Sequence, residues 1–98
     1  MQYKLLLTPF AERDLDEALQ WYNTQQEKLG FRFIATVEDY FIRILQYPKS
    51  YPIKSNSNRE AYIKKFPYVI IYGLKESTQE IVIYRIFNTH QNPEKKPK

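Results

Sequence analysis

The sequence predicts an α+β domain in the order β-α-α-β-β-β, a helical hairpin packed on a small, mainly antiparallel sheet of about four strands. Apolar residues recur at helical spacing between Pro9 and Tyr47, and short β-branched and aromatic runs follow Arg59. One further run, Tyr3 to Leu7, precedes the helices. With 98 residues, no cysteine, 43% hydrophobic and 16% aromatic content, the chain reads as one domain held by an apolar core rather than by disulfides.

Tyr3 to Leu7 reads as a strand. Thr8-Pro9 then supplies an N-cap followed by proline at the first helical position, where its missing N–H costs nothing. Ala11, Leu15, Ala18, Leu19 and Tyr22 form the apolar face of the helix that starts there. Glu12, Asp14, Asp16 and Glu17 fall in its early turns, where carboxylates favour the positive end of the macrodipole. That duty and solubility account for them better than paired catalytic carboxylates, because nothing apolar surrounds them to perturb their ionisation.

Leu29-Gly30 reads as the end of this helix, with glycine in a left-handed cap. Phe33, Ile34, Val37, Tyr40, Phe41, Ile44 and Leu45 mark a second amphipathic helix to about Tyr47. From Pro48 to Asn58 the chain is polar and aperiodic, a loop and by composition its most mobile part. Ala61 to Lys64, Tyr68 to Leu74 and Ile81 to Phe87 then read as an antiparallel meander with turns at Phe66-Pro67 and Lys75 to Gln79. The domain spans 1–92, and 93–98, PEKKPK, reads as a basic tail.

The helical hairpin is expected to cover one sheet face and leave the other as the candidate site. Strict alternation puts Ile81, Ile83, Arg85 and Phe87 on one side of the last strand, with Val82, Tyr84 and Ile86 on the other. Within that strand Arg85 has to reach water, a carboxylate or a phosphate.

Several function classes drop out. No apolar run approaches the roughly 20 residues that span a bilayer, and MQYKLLLTPF is too short for a secretory signal, so no membrane association and a cytoplasmic location are expected. With Cys 0 and His90 the lone histidine, no zinc, iron-sulfur or thiol site is expected, and no cofactor. Two glycines, at 30 and 73, make no phosphate-cradling loop, and no serine lies in a G-x-S-x-G turn.

Charge is unevenly spread. Residues 1–48 hold five Lys/Arg against seven Asp/Glu, and residues 49–98 hold ten against four, so the second half carries +6 and the first −2. Lys49, Lys54, Arg59, Lys64 and Lys65, interleaved with Tyr62, Tyr68 and Tyr72 and followed by Arg85 and His90, have the cation and ring chemistry of an RNA surface. The same tyrosines also fit ordinary cross-strand packing.

The order of A-E-R-D-L-D-E-A-L-Q-W-Y from Ala11, Q-x-x-L-G-x-x-F from Gln26, Tyr51-Pro52, Arg59, F-P-Y-x-I-x-Y from Phe66 and I-F-N-T-H-Q-N-P from Ile86 resembles the RelE/ParE superfamily of bacterial type II toxin-antitoxin systems. The likeness covers nearly the whole chain and is nearest to the ParE-like, plasmid-stabilisation branch. It implies a toxin neutralised by a cognate antitoxin and aimed at one of two targets. ParE-like members inhibit DNA gyrase, which is the slightly preferred expectation. RelE-like members cut mRNA on the ribosome without a metal, using basic residues to activate the 2′-OH and to protonate the leaving oxygen. A non-toxic RNA- or protein-binding module on the same scaffold is the third reading.

For a ribonuclease the candidate catalytic residues are His90, Arg85 and Arg59, with a lysine such as Lys54 or Lys64. The candidate target or nucleic-acid contacts are Lys54, Arg59, Lys64, Lys65, Tyr68, Arg85, His90 and Gln91. The ending departs from the common f-H-x-x-R-x-P: Asn88 stands where the histidine is usual and Gln91 where the arginine is.

Overall fold

A computed structural model describes residues 2–90. In chain order it holds β1 (Lys4–Leu7), α1 (Pro9–Gln25), α2 (Leu29–Gln46), β2 (Ile53–Ser55), β3 (Asn58–Tyr62), β4 (Tyr68–Lys75) and β5 (Glu80–Asn88). The sheet order is β1-β5-β4-β3-β2, with β1 parallel to β5 and the other neighbours antiparallel. The α+β class and the helical hairpin are as expected, with five strands where about four were expected. The tail 93–98 lies outside the described residues.

The additional strand, β2, lies inside the stretch that reads as loop. Three residues are too few to show alternation, and the turn that closes the hairpin lacks glycine. Asn56 and Ser57 nonetheless both take positive φ, 50° and 64°, the backbone a two-residue hairpin turn requires. The preceding segment is tied down by side chains. Arg59 Nη1 donates to the carbonyls of Lys49 (3.1 Å) and Tyr51 (2.6 Å), and the Tyr72 hydroxyl donates to that of Pro48 (2.7 Å).

Gly30 is not the helix cap. Lys28 holds the left-handed conformation, φ 68°, and Gly30 sits buried in the first turn of α2. A Cβ there would collide with the Asn23 side chain and come 2.6 Å from Leu19 Cδ1, so glycine lets the two helices approach.

The alternation of β5 also breaks. Ile71 pairs with Arg85 and Tyr72 with Ile83, which leaves Tyr84 as an extra residue on β5. Ile86 is thereby brought into the same core as Ile81 and Ile83, while Phe87 joins Val69 and Ile71 in a second cluster. A strict two-residue period places Ile86 and Phe87 on the wrong faces because it has no way to count a bulge.

The main core lies between the hairpin and the sheet. Phe33 packs against Tyr22, Tyr68 and Phe66 with ring centroids 5.2, 4.9 and 5.2 Å away, so one ring joins both helices to β4 and the turn before it. The opposite sheet face is not open at its centre, since Val69, Ile71 and Phe87 are only 1%, 1% and 3% exposed. No helix among the described residues is long and apolar enough to cross a membrane.

Burial pushes the Tyr72 phenol up to about 12 and also raises those of Tyr22 and Tyr68. The folded state therefore holds phenolic protons that the unfolded chain gives up near pH 10, so stability is fully present below pH 10 and falls as pH rises toward 12. Tyr72→Phe is expected to lose about 1 kcal/mol at neutral pH with the Pro48 hydrogen bond. Urea titrations across pH 8–12 should then show a shallower alkaline decline than in the unmodified chain.

Candidate functional site

β1 pairs with β5 only from Glu80 to Ile83, so the outer edge of β5 runs on past the end of β1. An unpaired strand edge has to satisfy its amides and carbonyls elsewhere. Here the start of α1 does so. Thr8 N donates to Ile83 O (3.0 Å), and Thr8 Oγ1 donates to Tyr84 O (2.8 Å) while accepting from Ala11 N (3.1 Å). One threonine thus caps the helix and pins the strand.

Two turns on, Asp14 completes the edge. Its Oδ2 accepts from Ile86 N (2.9 Å) and from Arg85 Nε (2.7 Å), and its Oδ1 accepts from Arg85 Nη2 (2.9 Å). The Asp14 side chain is 11% exposed and that of Arg85 27%. The hydrogen bond to Asp14 raises the guanidinium further above its ordinary value. Arg85 therefore finds a carboxylate, one of the three partners open to it. Asp14 departs from the expectation, because its partner lies 71 residues away in the sequence and helix-dipole reasoning sees only the local turn.

Two cavities flank this pair. One, of about 280 Å³, lies where Glu17 and Trp21 of α1 face Tyr68, Ile86 and Asn88. The other, of about 460 Å³, is lined by Thr8, Pro9, Phe10 and Tyr84. Arg85 lines both. In the first, Asn88 Nδ2 donates to the Tyr68 hydroxyl at 3.5 Å. Burial raises the Tyr68 phenol, with Asp14 and then Glu17 adding to the effect against the Asn88 bond. Sequence reasoning passed over Phe10, Asp14 and Trp21 as site residues. Their signal is the spacing 10, 14, 17, 21, a stripe of α1 beside its apolar face.

The residues expected at the site are spread over the sheet. Lys54 and Arg59 belong to the β2–β3 hairpin, and the Arg59 guanidinium is engaged by the two carbonyls above. Lys64 and Lys65 are exposed in the turn beyond β3, where Lys64 N donates to the Tyr40 hydroxyl (3.2 Å). Arg59 and Lys64 are five residues apart along an extended chain, roughly 17 Å. Lys49 pairs with Glu76 at 2.8 Å on the surface.

His90 is exposed just past β5, and its backbone N–H donates to Asn88 Oδ1 (2.8 Å). Gln91 lies outside the described residues. Tyr68 and Tyr72 are 7% and 0% exposed, so of the interleaved tyrosines only Tyr62, at 52%, is exposed. Packing, the alternative reading of these rings, holds for Tyr68 and Tyr72. Among the described residues no three His, Cys, Asp or Glu side chains gather as a metal site.

The fold and its comparisons converge. Residues 5–93 match the family described as ParE toxin of type II toxin-antitoxin system, parDE, and the chain belongs to that family. It is a ParE-type toxin of a type II toxin-antitoxin system, within the RelE/ParE superfamily. It is similar to a solved chain of the chromosomal ParDE system from P. aeruginosa, with 18% identity and a TM-score of 0.78 over 90% of this chain and 97% of that one. A chain of the RelBE2 toxin-antitoxin complex from Mycobacterium tuberculosis is similar over 90% of this chain and 99% of its own, with 22% identity and a TM-score of 0.64. At these identities the likeness is one of fold. Among curated proteins there is no significant match.

Asp14→Ala should destabilise the fold by about 1.5–3 kcal/mol, since it strips a part-buried guanidinium and the Ile86 amide of a charged acceptor. Arg85→Lys should not substitute fully, because an ammonium cannot form the two-pronged contact. Urea denaturation of both variants checks this, with an unshifted midpoint for Asp14→Ala as the contrary result.

Proposed function

We propose that this ParE-type toxin arrests growth by inhibiting DNA gyrase in the cytoplasm, and that a cognate antitoxin holds it inactive. The observation that supports gyrase over mRNA cleavage is the engagement of the arginine candidates by other groups of the chain. Cleavage of RNA needs a base, a phosphorane-stabilising cation and an acid converging on one phosphate. Arg85 is committed to Asp14, Arg59 to the Lys49 and Tyr51 carbonyls, and the His90 ring has no hydrogen bond or ion pair among the described residues. Asn88, at the position where the superfamily usually carries histidine, spends its amide on Tyr68 and on the His90 backbone. Amides offer no proton near neutral pH.

Binding without bond chemistry needs only shape and charge. The exposed Lys54, Lys64 and Lys65 suit it, because exposed cations steer association even where they do not converge. The antitoxin reading rests on family membership and on solved relatives that are toxin-antitoxin complexes.

Expression without antitoxin, with supercoiling by purified gyrase and mRNA integrity on translating ribosomes followed side by side, tests the proposal. Supercoiling should fall while mRNA stays intact, and His90→Ala should leave that inhibition within about threefold of the unmodified chain, as for a surface residue. Ribosome-dependent cutting that disappears in His90→Ala overturns the gyrase reading. Absence of both effects, without growth arrest, favours the non-toxic binding module.

A further inference from the structure

We propose that the cavity beside the β2–β3 hairpin binds the terminal phosphate of a phosphate monoester between Lys49 and Arg59, with Glu76 as a built-in competitor that the phosphate displaces. Nothing in the site depends on which target the toxin takes. The strands carry two half-buried arginines in opposite situations. Asp14 neutralises Arg85 through two hydrogen bonds. Arg59 has no carboxylate within ion-pair distance among the described residues. Its Nη1 donates to the carbonyls of Lys49 and Tyr51, neutral acceptors that fix the guanidinium without cancelling its charge. Nε and Nη2 make no hydrogen bond among the described residues, so most of the donor fork is left for another partner. A half-buried guanidinium placed in this way calls for an anion.

Arg59 lines a cavity of about 280 Å³ with Lys49, Ser57 and Glu76, and Ile53 and Leu74 add apolar wall. That volume lies near the lower end for small-ligand sites. Guanidinium, ammonium and hydroxyl are three separate donors. One arginine edge matches the two oxygens of a carboxylate, whereas a terminal phosphate has a further oxygen for Lys49 and Ser57. Ile53, 57% exposed, offers apolar surface to the organic part of the ester. The segment that carries Lys49 is fixed before any ligand arrives, because the Tyr72 hydroxyl holds Pro48 O and the Tyr51 ring stands edge-on to Tyr72, centroids 6.4 Å apart. Glu76 pairs with Lys49 at 2.8 Å, and a pair so exposed is weak. The Lys49 hydrogen bond holds the Glu76 carboxyl below its ordinary value and Arg59 adds to the effect, so both cations already act on an anion here. Two cations against one carboxylate leave net positive charge. A phosphate in this cavity gains cations but no imidazole, which suits retention rather than cleavage.

Calorimetric titration of the purified full chain with inorganic phosphate, adenosine 5′-monophosphate and a short oligonucleotide with and without a 5′-phosphate tests the site. Lys49→Gln should weaken the phosphate ligands roughly tenfold, the loss of one charged hydrogen bond. Glu76→Gln should tighten them roughly threefold by removing the competitor. Glu38→Gln, the same charge change on the exposed side of α2, should shift them less than about twofold. Positions 38, 49 and 76 are exposed, and circular dichroism checks that each variant folds. Arg59→Lys should also weaken binding roughly tenfold. Because it loosens the segment at Lys49 and Tyr51 as well, the Lys49 and Glu76 variants decide. A 5′-phosphorylated oligonucleotide that binds more tightly than the mononucleotide makes a strand end the source of the phosphate, and equal or weaker affinity makes it a free nucleotide; either supports the site. An oligonucleotide that binds as well without its 5′-phosphate overturns the site, as does failure of phosphate and the monoester to bind, or affinities that ignore Lys49→Gln and Glu76→Gln.

Discussion

The strand β1 ends four residues into the nine of β5, and the remaining β5 edge has to be satisfied by something that is not a strand. Thr8 and Asp14 meet that constraint from the first turns of α1. Because Thr8 also caps the helix, the helix start, the strand end and the sheet edge are fixed by one side chain. Asp14 then fixes the direction of α1 across the sheet, since its two oxygens serve one amide and one guanidinium in a fixed geometry. The hairpin, and with it the aromatic core around Phe33, is set down on the sheet from this seam.

The bulge at Tyr84 belongs to the same seam. It turns Arg85 to where Asp14 can reach it and shifts Ile86 into the main core beside Ile81 and Ile83. Gly73 on the neighbouring strand is the counterpart. A Cβ there would lie 2.9 Å from the Tyr84 ring, so the extra residue finds room only over a glycine. The bulged Tyr84 lines one of the two cavities along α1, and Arg85 of the ion pair lines both.

The electrostatic design divides the molecule by element. Among the described residues, the exposed lysines of the second half lie on separated turns and hairpins, where solvent screens each group from the next. Those charges suit broad attraction to an anionic or acidic partner better than the convergence a phosphoryl-transfer site needs. Negative charge of the first half is concentrated on α1, where it meets the seam with β5. A single net charge of +4 conceals both arrangements.

Much of this was legible in the sequence. The two helices, the Thr8 cap and four of the five strands follow from periodicity and turn chemistry, which depend on neighbours within a few residues. The family resemblance was carried by the order of such patterns along the whole chain. The sequence also states that Arg85 requires a partner, because a guanidinium in a strand always does. That the partner is Asp14, that Tyr84 is an extra residue, that Gly30 serves helix contact and that Asn56-Ser57 closes a hairpin were decided by tertiary structure alone. Each depends on residues distant in sequence or on a backbone choice of nearly equal local cost, and only packing in three dimensions breaks such ties.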